Sequence, residues 1–275
     1  MTRVLLALAA ALVALPAAAQ EQVEPDRPDV TNGTHIVTTG LVQIEIGALY
    51  THAAAHQHAF GSPTTVRVGL TDWIEARVGT DGVLTQTDGV TSVVGLGNTQ
   101  LGAKLRLWAD EGGIPVLSVL PMVTLPSANP DKGLGSGEPD YTIALLTGSD
   151  LGRHAHVDVN YGIGSIGAGG GAPHFTQHLV SASLSDAISD RWNPYVEMFW
   201  FSRQEADGSH VVAMDAGAIY ELGSRYALDC GLQLGVAGGP GLTAFGGVTV
   251  IVGDVVGAGV HARQRQIQKK NAHHR

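Results

Sequence analysis

Three groupings of residues could do chemistry. His52, His56 and His58 cluster within a short stretch, and imidazole suits Zn, Cu or Ni. No carboxylate or thiolate lies beside them in sequence, and their spacing departs from established zinc patterns. They read as solvated loop side chains and only weak metal candidates. Ser181, Ser183 and His178 share one segment. Acyl transfer needs a Ser–His pair with an orienting group, and neither an acid partner nor a G-x-S-x-G elbow accompanies them. Gly162-Ile163-Gly164-Ser165-Ile166-Gly167 fits G-x-G-x-x-G, but the dinucleotide reading requires a helix next. Ala168-Gly169-Gly170-Gly171-Ala172-Pro173 follows instead, and it reads as a loop. No cofactor and no catalytic set are expected.

The remaining candidates are ionic: Glu45, Arg67, Glu75, Arg77, Lys104, Arg106, Asp158, Glu197, Asp215 and Asp229. Each lies in a segment of period two, the repeat of a strand with one apolar face. In Thr64–Thr80, Val66, Val68 and Leu70 alternate with Arg67 and Gly69. After Thr71, Asp72 and Trp73, Ile74, Ala76 and Val78 alternate with Glu75, Arg77 and Gly79. Leu101, Ala103, Leu105 and Leu107 likewise oppose Lys104 and Arg106. A one-residue slip would turn Arg67, Arg77, Lys104 and Arg106 to the apolar side, at about 2–4 kcal/mol each near a bilayer midplane. Together those penalties rival the stability of a typical fold, so the charges belong around an enclosed axis. There they sort by sign. The cations come from the second to fourth strands, with Glu45 and Glu75 near them, and Asp158, Glu197, Asp215 and Asp229 come from later ones. Such walls would set a transverse field favouring small polar solutes, or would pair with one another and fill the interior. His154 and His156 read as further polar lining.

The same alternation recurs from Leu41 to Val252, giving about twelve strands near the ~9–11 residues that cross an outer membrane when tilted. Short turns are expected at Thr71–Trp73, Ala109–Gly113, Gly148–Arg153, Asp186–Trp192 and Leu222–Arg225. Longer connections are expected at Thr51–Pro63, Asp81–Gly97, Pro126–Pro139, Ser165–His174, Arg203–Ser209 and Ala237–Pro240. Short periplasmic turns alternating with longer outer loops mark bacterial outer-membrane barrels. In lipid every backbone polar group needs a partner, so only helices and closed barrels span. The helical competitor, Leu242–Val260, is rich in glycine and β-branched residues and carries Asp254, which costs about 2.5–3.5 kcal/mol in mid-span. The fold class expected is an all-β, antiparallel up-and-down transmembrane barrel. Twelve strands lie between a filled barrel of eight and an open channel of sixteen, which leaves conduction and plugging both open.

Arg3, the apolar run Val4–Leu15 and Ala17-Ala18-Ala19 before Gln20 have the form of a cleaved signal peptide. The segments expected are therefore a signal peptide at 1–19, an extended periplasmic lead-in at 20–38, the barrel at 39–253 and a basic tail at 254–275. Cys230 is the sole cysteine, so stability must come from strand pairing and burial rather than a disulfide. A net charge of −9 argues against a nucleic-acid partner. With 37 glycines and 15% charged residues, the composition suits a turn-rich β chain.

Asp26-Arg27-Pro28-Asp29-Val30-Thr31 followed by GLVQIEIG at Gly40–Gly47 resembles the bacterial outer-membrane family named for the MetA pathway of phenol degradation. The likeness continues through LTDWIEARVG at Leu70–Gly79, GLGNTQLGAKLRLW at Gly95–Trp108, PVLSVLPMVTLPS at Pro115–Ser127 and WNPYVE at Trp192–Glu197. It covers most of Asp26 to Val252. It implies an outer-membrane barrel passing small molecules, with hydrophobic or aromatic compounds as candidates. Its partners would be outer-membrane lipids, the barrel-assembly machinery and an unidentified solute. Barrels of this kind usually end on a strand with a terminal aromatic residue; here GDVVGAGVHARQRQIQKKNAHHR follows the last strand.

Overall fold

A computed structural model describes residues 23–28, 30–54, 56–109, 115–239 and 241–254. The expected signal peptide, most of the Ala109–Gly113 turn and nearly all of the 254–275 tail lie outside the described residues.

The strands are β1 (Leu41–Ala54), β2 (Gln57–Gly61), β3 (Thr64–Thr71), β4 (Ile74–Thr80), β5 (Val83–Thr87), β6 (Ser92–Leu96), β7 (Thr99–Trp108), β8 (Val116–Leu125), β9 (Asp140–Leu151), β10 (Ala155–Ile166), β11 (Phe175–Asp186), β12 (Trp192–Phe201), β13 (Val211–Glu221), β14 (Tyr226–Ala237) and β15 (Leu242–Asp254). Twelve of them, β1, β3, β4 and β7 to β15, pair antiparallel in order, and β15 returns to pair with β1. That seam runs from Leu41↔Asp254 to His52↔Leu242 and closes the barrel, so its strands leave no open edge. The Leu242–Val260 stretch is therefore strand as far as Asp254; the rest of it lies outside the described residues.

The pleat puts aliphatic residues outside and polar ones inside. On β10, Val159, Tyr161 and Ile163 are exposed while Asn160 between them is 2% exposed. On β12, Val196 and Met198 are exposed and Glu197 is buried. An exterior of this kind suits acyl chains and would be unstable in water. Aromatic residues edge the band. Trp73, Trp108 and Trp192 are exposed at the end with the tight turns, and Tyr50, Tyr141 and Tyr161 toward the other end, the girdles of a membrane barrel.

Two of the expected long connections contain strand. The upper part of β1 pairs with β2, β2 with β5, and β5 with β6, forming a rim sheet that continues the barrel wall upward. Its short segments QHAFG, VLTQT and SVVGL are too brief for periodicity to distinguish them from loop. Lys132 Nζ donates to Val94 O on the outermost rim strand, and a cation at an edge strand blunts further pairing. The β9–β10 turn is tighter than expected, with both strands extending to within a few residues of each other at Gly152–His154. His154 sits exposed in that turn rather than on the lumen face.

Candidate functional site

The largest departure from expectation is at residues 23–28 and 30–38. They are not an extended lead-in below the barrel; they fold into its interior and touch strands all round the wall. The physical reason is charge. An unpaired buried charge is strongly unfavourable, and this segment supplies the partners that the lumen residues lack.

On one side stand the cations. Arg67, Glu75 and Lys104 are fully buried. Arg67 Nε donates to Glu75 Oε1 at 2.8 Å and its Nη1 to Glu45 Oε1 at 2.8 Å. Arg77 Nε donates to Glu75 Oε1 at 2.7 Å. Asp26 closes the set: its Oδ2 accepts from Lys104 Nζ at 2.7 Å and from Arg77 Nη2, and lies 3.4 Å from Arg67 Nη2. Three carboxylates thus face three cations (Asp26, Glu45 and Glu75 against Arg67, Arg77 and Lys104). Backbone carbonyls of the segment take up remaining donors. Glu24 O accepts from Arg67, and Gly33 O and His35 O from Lys104.

Arg27, the next residue along, turns toward the β1–β15 seam instead. Its Nη2 lies 3.2 Å from Asp229 Oδ1 on β14. Glu197 on β12 accepts from the backbone N–H groups of Val30 (2.9 Å) and Thr31, and from the Thr31 hydroxyl. Asn160 on β10 exchanges hydrogen bonds with Asn32 at 2.7 and 3.0 Å. Ser118 on β8 donates to Thr34 O. The consecutive Asp26 and Arg27 therefore form a short dipole opposed to the sorted charges of the walls.

Glycines make room for this. Gly47 on β1 and Gly247 on β15 are direct cross-strand partners. A Cβ on Gly47 would lie 2.1 Å from Arg27 Nη1, and one on Gly247 would lie 2.8 Å from Arg27 Nε. The guanidinium lies in the notch they leave. Where the segment joins β1, Gly40 N donates to Gly69 O at 2.8 Å and Thr39 bridges Gly69. A Cβ on Gly69 would sit 2.1 Å from Val37 O. At the tight-turn end, Val23 and Val37 pack with Leu41, Ala227 and Ile251 as an apolar cork.

All ten ionic residues picked from the sequence lie on the inward face, but with different surroundings. Glu45, Arg67, Glu75, Arg77, Lys104, Glu197 and Asp229 contact the segment or its immediate ion pairs. Asp215 is buried directly opposite Glu197. Asp158 lies apart from the segment with His156, whose Nε2 is 3.4 Å from Asp158 Oδ2 and whose Nδ1 is 2.7 Å from Asp150 Oδ1. Arg106 is half-buried opposite Ser118, with no ion-pair partner among the described residues. Sequence reasoning missed Asp26, Arg27, Thr31 and Asn32. A usable signal was present, because the family likeness begins at Asp26, well before the first strand.

The segment divides the lumen. Toward the tight turns is a cavity of about 380 Å³ bordered by Glu24, Asp26, His35, His156, Asp158 and Glu221. Toward the long connections is one of about 320 Å³, with Leu120, Met122, Leu179 and Phe201 on its apolar side, and Gln100, Gln177, Thr65, Asn32 and Arg77 also bordering it.

The other groupings stay apart. Ser181 and Ser183 are buried inward, whereas His178 faces outward and pairs with Tyr161 Oη at 3.0 Å, so the wall separates hydroxyl from imidazole. The glycine-rich stretch Gly162–Gly167 lies on β10 as far as Ile166, with Gly167 opening the loop after it. Among the described residues no three His, Cys, Asp or Glu side chains converge on a metal-sized point.

Residues 25–250 match the family described as "Putative MetA-pathway of phenol degradation". No curated protein matches the chain. Among solved structures, an outer membrane channel from Pseudomonas putida F1 superposes with a TM-score of 0.65 at 13% identity, covering 84% of this chain and 100% of that one. The NanC porin superposes with a TM-score of 0.53 at 9% identity, covering 75% and 99%. The KdgM porin in complex with disordered oligogalacturonate gives 0.50 at 9%, covering 76% and 98%. At these identities the likeness establishes the fold, that of an outer-membrane barrel.

Proposed function

Because the chain belongs to the family described for the MetA pathway of phenol degradation, we propose that it is a passive outer-membrane conduit for small molecules, obstructed at rest by residues 23–38. One observation carries this reading. The obstruction is a loop of chain held in the lumen mainly by polar contacts between two cavities, with apolar packing confined to Val23 and Val37 at the tight-turn end. Ion pairs and hydrogen bonds can exchange for water as a solute passes. A core held by apolar burial has no such substitute.

The cavity toward the long connections points to the solute class. Its volume falls at the lower end of small-ligand sites, and an apolar wall facing a few polar groups suits a compact amphipathic molecule. Hydrophobic or aromatic compounds bearing a hydrogen-bonding group fit that description. Residues 1–19 serve in this reading as a cleaved export signal, and the barrel-assembly machinery and outer-membrane lipids are the partners it requires.

A permanently filled barrel with a structural role is the second reading, favoured by the number of wall strands that the segment engages. Liposome swelling separates the two. Protein reconstituted as wild type and as Asp26→Asn/Arg27→Gln is challenged with neutral sugars, small carboxylates and monocyclic aromatic alcohols of similar size. The conduit reading expects faster entry for the double variant, with aromatic alcohols ahead of sugars in the wild type. Absence of flux in both proteins, with the barrel folded, would leave the structural reading standing.

A further inference from the structure

At the long-connection rim, the outer surface carries side chains that neither lipid nor the lumen explains. His52 on β1 and His58 on β2 are direct cross-strand partners. Their Nδ1 atoms are 3.2 Å apart, and Tyr50 Oη is 2.8 Å from His58 Nδ1. The two imidazole centroids are 4.9 Å apart, and the Tyr50 ring stacks on His58 at 5.6 Å. His52 and Tyr50 are exposed and His58 half-buried. At this distance one ring nitrogen donates its proton to the other, and a metal ion between them can take that proton's place.

The geometry points to a first-row divalent metal site, with His52 Nδ1 and His58 Nδ1 as ligands and water completing the shell. Metal–nitrogen bonds of about 2.0–2.1 Å put two nitrogens about 3.3 Å apart at tetrahedral angles and about 2.9 Å apart at the right angles that Cu²⁺ favours, a range that holds the observed 3.2 Å. The observed separation meets that without moving the backbone. Imidazole donors on a fixed strand pair select Cu²⁺, Zn²⁺ or Ni²⁺ over Mg²⁺ or Ca²⁺, with Cu²⁺ bound tightest. The residues paired opposite on the neighbouring strands, Leu242 facing His52 and Thr87 facing His58, are uncharged. Asp88 beyond Thr87 is committed to the N–H groups of Val90 and Thr91 and to the Thr91 hydroxyl. The imidazoles thus hold the ion with uncharged residues paired on either side. Because the two ligands flank the β1–β2 turn, a bound metal clips the rim sheet to the barrel wall.

A built-in control exists. Tyr161 and His178 repeat the Tyr–His contact at 3.0 Å on β10 and β11, without a second imidazole.

The test is Cu²⁺ titration of the full-length, detergent-folded protein at pH 7.5 by calorimetry and electron paramagnetic resonance. The variants are His52→Ala, His58→Ala and His178→Ala, each checked for folding by heat-modifiable gel mobility. The chain has 12 histidines, so the readout is the site lost relative to wild type. His52→Ala and His58→Ala should each remove one site, or weaken it at least tenfold, together with one two-nitrogen copper spectrum; His178→Ala should leave both unchanged. Retention of the same stoichiometry, affinity and spectrum in His52→Ala and His58→Ala would overturn the assignment.

Discussion

Asp26 is where the interior is most sensitive to a single substitution. It faces Arg67, Arg77 and Lys104 together, and its loss leaves three cations against Glu45 and Glu75 alone. Removing one partner of a buried ion pair costs roughly 3–5 kcal/mol. Asp26→Asn is therefore expected to release the segment rather than unfold the barrel, whose strand ladder it does not touch. The checks are protease cleavage within residues 23–38 and larger single-channel conductance in planar bilayers; an uncut, electrically silent Asp26→Asn protein would show that other contacts suffice. The inward placement of the ten ionic residues was legible, because each stands opposite aliphatic neighbours in a period-two pattern. Their partners were not. Contacts such as Arg27 to Asp229 join residues far apart in sequence, and nothing local announces them.

Among the elements, the barrel strands were readable and the interior segment was not, for one physical reason. Strands half-exposed to lipid must alternate, whereas a segment satisfied by lumen side chains needs no period and looks like a proline-containing linker. The rim strands were missed because five-residue elements carry too few alternations. Gly47 shows how wall and segment depend on each other. A methyl there must displace the Arg27 guanidinium, which weakens the pair with Asp229. Gly47→Ala and Asp229→Asn should accordingly be non-additive: in a double-mutant cycle on segment release, the second change should add little to the first. Full additivity would place Arg27 outside the notch. On the opposite face, Val196 is 55% exposed near the middle of β12. Val196→Arg should cost about 2–4 kcal/mol, read as a lower urea midpoint for unfolding from lipid vesicles. An unchanged midpoint would argue that this face does not meet acyl chains.

For the molecule as a whole, the sorting of charge is the property most open to measurement. With the interior segment loosened, the wall carrying Arg67, Arg77, Lys104 and Arg106 faces Glu197, Asp215 and Asp229 across open water, and ions passing through sense both. Introducing Lys104→Glu and Arg106→Glu into the Asp26→Asn background should shift permeation toward cations. The reversal potential under a salt gradient reports it, and an unmoved potential at normal conductance would remove these residues from the conduction path. Arg27 has a further bearing at this scale. It donates to Gly246 O and Asp229 and rests between Gly47 and Gly247, so it spans the β1–β15 pairing that completes the ring. The first stretch of described chain and the last strand are thus riveted at one point. Losing Arg27 therefore touches the hoop as well as the bung, while the backbone ladder of the seam still holds the ring shut.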